Sequence, residues 1–442
     1  MVPTQRTYGL LVAGGAVASL LTAFAGGSDR FTIALLSLGI FDGFVLLAMV
    51  VDGLRVRGRR VDIERLPLGR LSIGRKNPVE LKLKTKESAD VLIYDRFPAA
   101  FEGPDLPLRA TILADKLSGG EESLTYSVVP KRRREYDWGD LEVRQRGPLK
   151  LAWADWRVPA AGKVAVYPDL IGLRQLSIKL ALQSTGTMRQ KRKLGVGTEF
   201  AELKEYDAGD DPRFIDWKAT ARRSQPLVRV LEPEKEQTLI ILLDRGRLMT
   251  ARVQGLSRFD WGMNAALSLA LAGISRGDRV GLGVFDRSMH TWMPPRRGQG
   301  YLRQMVERLT PIEPVLKEAD YLGAVTQVVR AQSRRALVVV ITDVVDQTAS
   351  AELLSGLMRL RPRYLPFCVT LRDPTMDKQA QAIRQDVAGA YERAVAIDLI
   401  GQRQVALSRL KRGGVMVLDG PADGISEALV ESYLRVKAKA RL

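Results

Sequence analysis

The sequence predicts three parts: a two-helix transmembrane hairpin at the amino end, a small β-sandwich, and an α/β domain built on a mostly parallel sheet. Three observations carry this. Two long apolar runs open the chain. Short segments with apolar residues at every second position follow, the period of half-buried strands. Uninterrupted apolar strands alternating with helical periods then fill the carboxyl half, as in a sheet covered on both faces.

The anchor comes first. Thr7 to Ser28 contains no charged residue, and a helix needs roughly 20 apolar residues to cross a bilayer. After Asp29 and Arg30, Phe31 to Val51 is a second run, broken only by Asp42. Helices are expected at about 8–27 and 31–51 within a segment 1–60. The link between them is too short to hold a domain, so they form a hairpin. Arg6 precedes the first run, and Arg55, Arg57, Arg59 and Arg60 follow the second. The turn offers only Arg30, offset by Asp29. Excess Lys and Arg stay on the cytoplasmic side, so both chain ends and the main body are expected at the inner face of the plasma membrane. A cleaved signal peptide is the competing reading. The length of the first run and the second span directly after it argue against that. Gly9, Gly14 and Gly15, with Ala13, Ala16 and Ala18, suit close helix packing. Asp42 reads either as a functional intramembrane carboxylate or, the favoured reading, as a tolerated polar residue facing the partner helix.

The 442 residues carry a net charge of +18, with a pI near 10.0. Basic chains neutralise nucleic-acid phosphates or sit beside anionic lipid headgroups. The anchor favours the second reading, and nucleic-acid binding stays as a weaker alternative. The single cysteine, Cys368, excludes an intrachain disulfide. With His290 the single histidine, a Cys/His zinc site would have to borrow carboxylates.

Residues 61–170 are expected to form the sandwich. Val79-Glu80-Leu81-Lys82-Leu83-Lys84 shows the alternation most clearly, and Val91–Tyr94, Leu124–Val129, Asp140–Arg144 and Lys163–Tyr167 are further strands. Lys76-Asn77-Pro78, Gly119-Gly120 and Gly147-Pro148 separate them as turns. The run Lys131-Arg132-Arg133-Arg134 is either a contact for lipid or an acidic partner, or a solvated loop between strands. Residues 171–196 are expected as a linker, polar and cationic from Thr185 to Lys193.

Residues 197–236 contain the most specific motif. Asp211 can cap a helix with Pro212 in its first turn. Phe214, Ile215 and Trp217 supply apolar anchors. Lys218, Arg222 and Arg223 are expected late in that helix, where Asp210, Asp211 and Asp216 can pair with them. The matching residues Gly209, Asp210, Asp211, Pro212, Arg213, Ile215, Asp216, Trp217, Ala221 and Arg222, with Glu199 and Phe200 upstream, resemble the signature of the bacterial domain-of-unknown-function family fifty-eight. Lys204 stands where that family usually has an arginine. The block is expected to act either as an interaction surface or as a brace for the domain that follows. Trp and Ile at helical spacing favour the brace.

In residues 237–442, Thr238–Leu243 and Ala336–Thr342 are apolar runs ending at Asp244 and Asp343. Arg279–Phe285, Tyr364–Leu371 and Val415–Leu418 are further strands. Arg258–Ile274, Tyr321–Gln332 and Ser350–Leu360 are helical. Ligands of such sheets bind beyond the carboxyl ends of the strands, where both aspartates lie. The resemblance implies a von Willebrand factor A-like fold, in which a Mg²⁺ adhesion site uses Asp-x-Ser-x-Ser, a threonine and a later aspartate. Here the first element reads Asp244-Arg245-Gly246-Arg247-Leu248, without either serine. Glu318-Ala319-Asp320-Tyr321 offers no hydroxyl at the apparent threonine position. Asp343 matches the last aspartate and Asp346 is near. Asp244 and Asp343 are therefore the metal candidates of a degenerate site, and no cofactor is expected, because two carboxylates beside Arg245 and Arg247 make a poor cage. The alternatives are helix capping, pairing with these arginines, or protein binding through them.

No phosphate loop, dinucleotide fingerprint, zincin motif or nucleophile elbow is present, so no enzyme is expected. His290 reads as a hairpin residue. The basic end, Arg435, Lys437, Lys439 and Arg441, reads as a solvated helix or a lipid contact. The family resemblance implies an interaction module working with a MoxR-type AAA+ ATPase in chaperone-like assembly or maturation of other proteins. The alternative is a metal-assisted hydrolase using Asp244, Asp343 and Asp320.

Overall fold

The computed structural model describes residues 1–24, 30–115, 119–187, 199–232, 237–345, 350–361, 363–383 and 386–438. The chain forms two compact units, Met1–Tyr167 and Pro168–Leu442.

In the first unit, helices Gln5–Phe24 and Arg30–Arg57 pack together. Gly14 allows the approach: a Cβ there would lie 2.5 Å from Phe41 Cδ1 and 3.0 Å from Asp42 Oδ1. Asp42 thus faces the first helix. Among the described residues, Leu35–Arg57 is long and apolar enough to cross a membrane. Asp29 lies outside the described residues.

The second helix continues past Val51 to Arg57. Its added turns carry Asp52, a fully buried carboxylate. Asp52 accepts backbone N–H groups from Leu149 (2.7 Å), Leu151 (2.8 Å) and Ala152 (3.1 Å). Thr4 Oγ1 donates to the Lys150 carbonyl at 2.6 Å and Thr7 Oγ1 to that of Leu151 at 2.5 Å. Backbone groups taken out of water need such partners, so the foot of the helices is fixed on this loop.

The expected strands occur as Asn77–Thr85, Ala89–Asp95, Gly120–Pro130, Leu141–Arg146 and Gly162–Tyr167. Asp62–Arg65, Leu108–Ile112, Glu135–Trp138 and Ala152–Val158 join them. The strands group into sheets of five, four and three rather than a single pair. The five-stranded sheet even takes in Val2–Pro3 at its edge. Alternation drives burial: Val79, Leu81 and Leu83 have no exposed surface. Inside, Asp95 accepts from Arg65, from the Tyr126 hydroxyl (2.6 Å) and from Trp138 Nε1 (2.8 Å). The cationic run at 131–134 is not a freely solvated loop. Arg133 is buried, Lys131 pairs with Glu102, and Arg134 lies over the Tyr136 ring.

The second unit opens with helix Leu170–Thr187, where a linker was expected. Leu173 and Leu180 are buried, and the helix packs towards Arg258–Ser275. Asp169 Oδ1 accepts from Gly172 N at 2.8 Å in its first turn. Residues 188–196 lie outside the described residues.

A six-stranded sheet forms the core. Its order is Met289–Arg296, Arg279–Phe285, Thr238–Asp244, Leu337–Thr342, Leu365–Arg372, Met416–Pro421. All pairs are parallel except the edge pair made by Met289–Arg296. The inner strands are buried end to end, which explains their unbroken apolar runs. Ser257 and Asp260 form a capping box on helix Arg258–Ser275. The chain direction across the sheet switches between Thr238–Asp244 and Leu337–Thr342, the place where ligands bind in such folds. His290 is exposed on the antiparallel edge strand. At the basic end, Lys437 pairs with buried Asp278 and is not a solvated tail residue. Lys439 and Arg441 lie outside the described residues.

Candidate functional site

Asp244 ends one of the two strands at the switch point and Asp343 directly follows the other, and both are buried. Asp244 Oδ1 accepts from Gly246 N at 2.7 Å. Its Oδ2 accepts from Thr342 Oγ1 at 2.6 Å and from the Tyr321 hydroxyl at 3.0 Å. Burial pushes this carboxyl above the ordinary carboxylate range, against those three hydrogen bonds. Asp343 is held differently. Its Oδ1 accepts from Arg403 Nη1 at 2.6 Å and from Val344 N at 2.8 Å, and its Oδ2 pairs with Arg258 Nη1 at 2.7 Å. Arg403 also reaches Asp419 at 2.8 Å, and Asp419 accepts from Thr370 Oγ1 at 2.8 Å. Two guanidinium groups thus stand against the aspartate that a metal would need.

Arg245 and Arg247 do not pair with Asp244 or Asp343. Arg245 turns to Asp286 at 2.8 Å, and Arg247 to exposed Glu318 at 2.6 Å. Burial raises the Asp286 carboxyl, but Arg245 and the Ser288 N–H outweigh it and hold the group below its usual range. Gly246 sits in a slot closed to any side chain. A Cβ there would lie 2.8 Å from the Lys317 carbonyl and 3.0 Å from Asp244 Oδ1. Asp320 caps helix Tyr321–Ala331 by accepting from Gly323 N at 2.7 Å. Asp346 lies outside the described residues. Cys368 is buried in the neighbouring strand, and burial pushes its thiol up to about 12.

The residues that complete this cluster are Thr342, Tyr321, Arg258, Arg403 and Asp419, none of them a sequence candidate. One signal was available for Arg403. It lies on the stripe of helix Val387–Arg412 that also buries Ala396, Leu407 and Leu410, and a charge on a buried stripe needs a partner.

The raised Asp244 carboxyl has a measurable consequence. Folding takes up a proton between the ordinary carboxylate range and the raised value, so stability falls as pH rises through that interval. Asp244→Asn keeps the shape without the charge. Its melting temperature in detergent, followed upwards from about pH 4, is expected to fall less than that of the unsubstituted chain.

The signature block folds on itself as a separate hairpin. Glu199–Glu205 pairs antiparallel with Leu227–Glu232, with Glu199 and Phe200 at the start of the first strand. Asp211 caps a short 3-10 turn at Pro212–Phe214 rather than an α-helix. Asp216 caps helix Trp217–Arg223. Lys218 therefore falls in the first turn, while Arg222 and Arg223 end the helix. The acidic residues pair elsewhere than expected: Asp210 with Lys204 (2.7 Å), Asp211 with Arg213 (2.6 Å), Asp216 with Arg229 (2.9 Å). These partners hold the three carboxyls below the usual range, led in each case by the side-chain hydrogen bond. Gly209 lies in the connecting loop, with open space where a Cβ would be. Trp217 is 71% exposed, which removes the packing argument for a brace. Lys218, Arg222 and Arg223 lie on the same helix and form no ion pair among the described residues.

Comparison with known proteins finds the following similarities. Residues 202–383 match the family described as "Protein of unknown function DUF58". "Uncharacterized protein Mb1516" of Mycobacterium bovis is 23% identical over 209 residues, 46% of this chain and 65% of the relative. The chain thus spans 65% of the length of that relative. "Uncharacterized protein YeaD" of Bacillus subtilis is 25% identical over 109 residues, 25% of each chain. Among solved structures, an aerotolerance-related membrane protein from Bacteroides fragilis is 18% identical with a TM-score of 0.32, covering 46% of this chain and 99% of its own. The conserved hypothetical protein BatB from Bacteroides thetaiotaomicron is 17% identical at the same TM-score and coverage. The resemblance read from the Gly209–Arg222 block is therefore borne out: residues 202–383 match the DUF58 family.

Proposed function

We propose that this chain is a membrane-anchored interaction module facing the cytoplasm, which works with a MoxR-type AAA+ ATPase in assembly or maturation of other proteins. The observation that carries the reading is Trp217, an aromatic side chain exposed at the start of a helix whose Lys218, Arg222 and Arg223 form no ion pair among the described residues. Aromatic and arginine side chains supply most hot-spot energy at protein interfaces. The apolar Leu35–Arg57 helix supports the anchor, and with Gln5–Phe24 we read a two-span hairpin. The arginines that follow it support the cytoplasmic orientation.

A metal-assisted hydrolase built on Asp244, Asp343 and Asp320 has less support. Arg258 and Arg403 occupy both oxygens of Asp343, the Gly246 slot leaves no room for a serine, and Asp320 is spent on a helix cap. We read that donor set as unsuited to Mg²⁺, which takes oxygen ligands in near-octahedral geometry. Guanidinium groups stand in for the cation.

Affinity purification of the full chain from native membranes, with nucleotide present, tests the partner. The AAA+ ATPase is expected to co-purify, and Trp217→Ala is expected to reduce its recovery by about tenfold or more. Absence of such an ATPase across several mild detergents would contradict the reading.

A further inference from the structure

We propose that a cationic cleft at the foot of the apolar helices binds the phosphate of an anionic phospholipid headgroup, an inference that rests on the membrane reading above. The cleft has a volume of about 200 Å³. Arg55, Arg59, Arg146 and Lys150 line it, against Glu87 and Asp90.

Its cations are incompletely satisfied. Arg59 pairs with Glu87, both half exposed. Arg146 reaches Asp90 only at 4.0 Å, and its buried Nε has no hydrogen-bond partner. Arg55 and Lys150 form no ion pair among the described residues. A diester phosphate would supply the missing acceptor and a negative charge in one group. Guanidinium groups match phosphate oxygens in geometry as well as charge.

Position points to a lipid as the source of that phosphate. Arg55 lies in the last turn of the second helix, and exposed apolar side chains continue along that helix to Leu54. The cleft therefore sits where hydrocarbon gives way to headgroups, the depth at which basic residues meet anionic lipid. Leu149, 48% exposed and next to Lys150, adds an apolar side chain at the same level. The loop is also pre-organised. Asp52, Thr4 and Thr7 tie down its backbone, and Gly147 is needed because a Cβ there would lie 2.3 Å from Asp52 Oδ2. A ligand then meets donors already in place.

The test uses the full chain in two stages. Membranes are first extracted with alkaline carbonate. Release of the chain would overturn the membrane reading, and this proposal with it. Retained chain is then reconstituted in nanodiscs holding equal amounts of phosphatidylglycerol and phosphatidylcholine, and analysed by native mass spectrometry for lipid carried out of the disc. Retention of phosphatidylglycerol over phosphatidylcholine is expected. The exposed double variant Arg55→Gln/Lys150→Gln is expected to reduce it at least about tenfold, whereas Lys163→Gln, outside the cleft, retains it. Equal retention of both lipids, or of phosphatidylglycerol in both variants, would overturn the headgroup site alone. Loss of the bound lipid on adding millimolar inorganic phosphate would assign the cleft to free phosphate instead.

Discussion

Arg403→Ala is expected to lower the unfolding free energy of the full chain by about 3–5 kcal/mol, the usual cost of breaking a buried ion pair from one side. Arg403 is buried and serves two carboxylates, Asp343 and Asp419, as well as the Val344 carbonyl. Its removal leaves Asp343 with Arg258 and the Val344 N–H, and leaves Asp419 with Thr370 and a distant Arg372 at 3.9 Å. Urea unfolding in detergent, followed by tryptophan fluorescence, reads the change. Adding Asp343→Asn and Asp419→Asn to the alanine variant should recover part of the loss, because the uncompensated charges then disappear. A loss below about 1 kcal/mol for Arg403→Ala would place the cluster among weak surface pairs and undo the view of it as a fixed, internally neutralised centre.

Asp52→Ala is expected to cost about 2–4 kcal/mol and to loosen the seat of the helices on the loop at 147–152. Three backbone N–H groups lose their acceptor at once, and each buried donor left unpaired costs on the order of 1–3 kcal/mol before water re-enters. Asp52→Asn, which keeps one acceptor oxygen, should cost less. Hydrogen exchange at Leu149, Leu151 and Ala152 should quicken in the alanine variant. Unchanged exchange at those amides would show that the loop is held by other means.

The sheet was legible because its inner strands are buried along their whole length. Thr238–Asp244 and Leu337–Thr342 read as apolar runs, the first closing on Asp244 and the second followed directly by Asp343. The strand Ala152–Val158 was not legible. Its large apolar Trp153 falls on the same face as the charged Asp155 and Arg157, which blurs the alternation. Asp52 escaped for a different reason: its partners are backbone groups, which leave no mark in the order of side chains.

The candidate site divided in the same way. Asp244 and Asp343 were named from strand ends, but their partners come from distant segments. Arg403 lies 60 residues beyond Asp343, and Thr342 lies 98 beyond Asp244. Arg245 and Arg247, adjacent in sequence, point instead to the neighbouring loops that carry Asp286 and Glu318. Trp217 looked like a packing residue by type. Asp216 caps the helix directly before it, which makes Trp217 the first helical residue and leaves it exposed.

The central claim is that this exposed aromatic marks a protein-docking surface on a membrane-held chain. A photo-crosslinking amino acid installed at position 217 in the full chain, illuminated in intact cells, tests it most directly. A covalent adduct with a MoxR-type AAA+ ATPase is expected. Illumination that yields no protein adduct at this position, while the same ATPase is recovered equally with Trp217→Ala and with the unsubstituted chain, would contradict it.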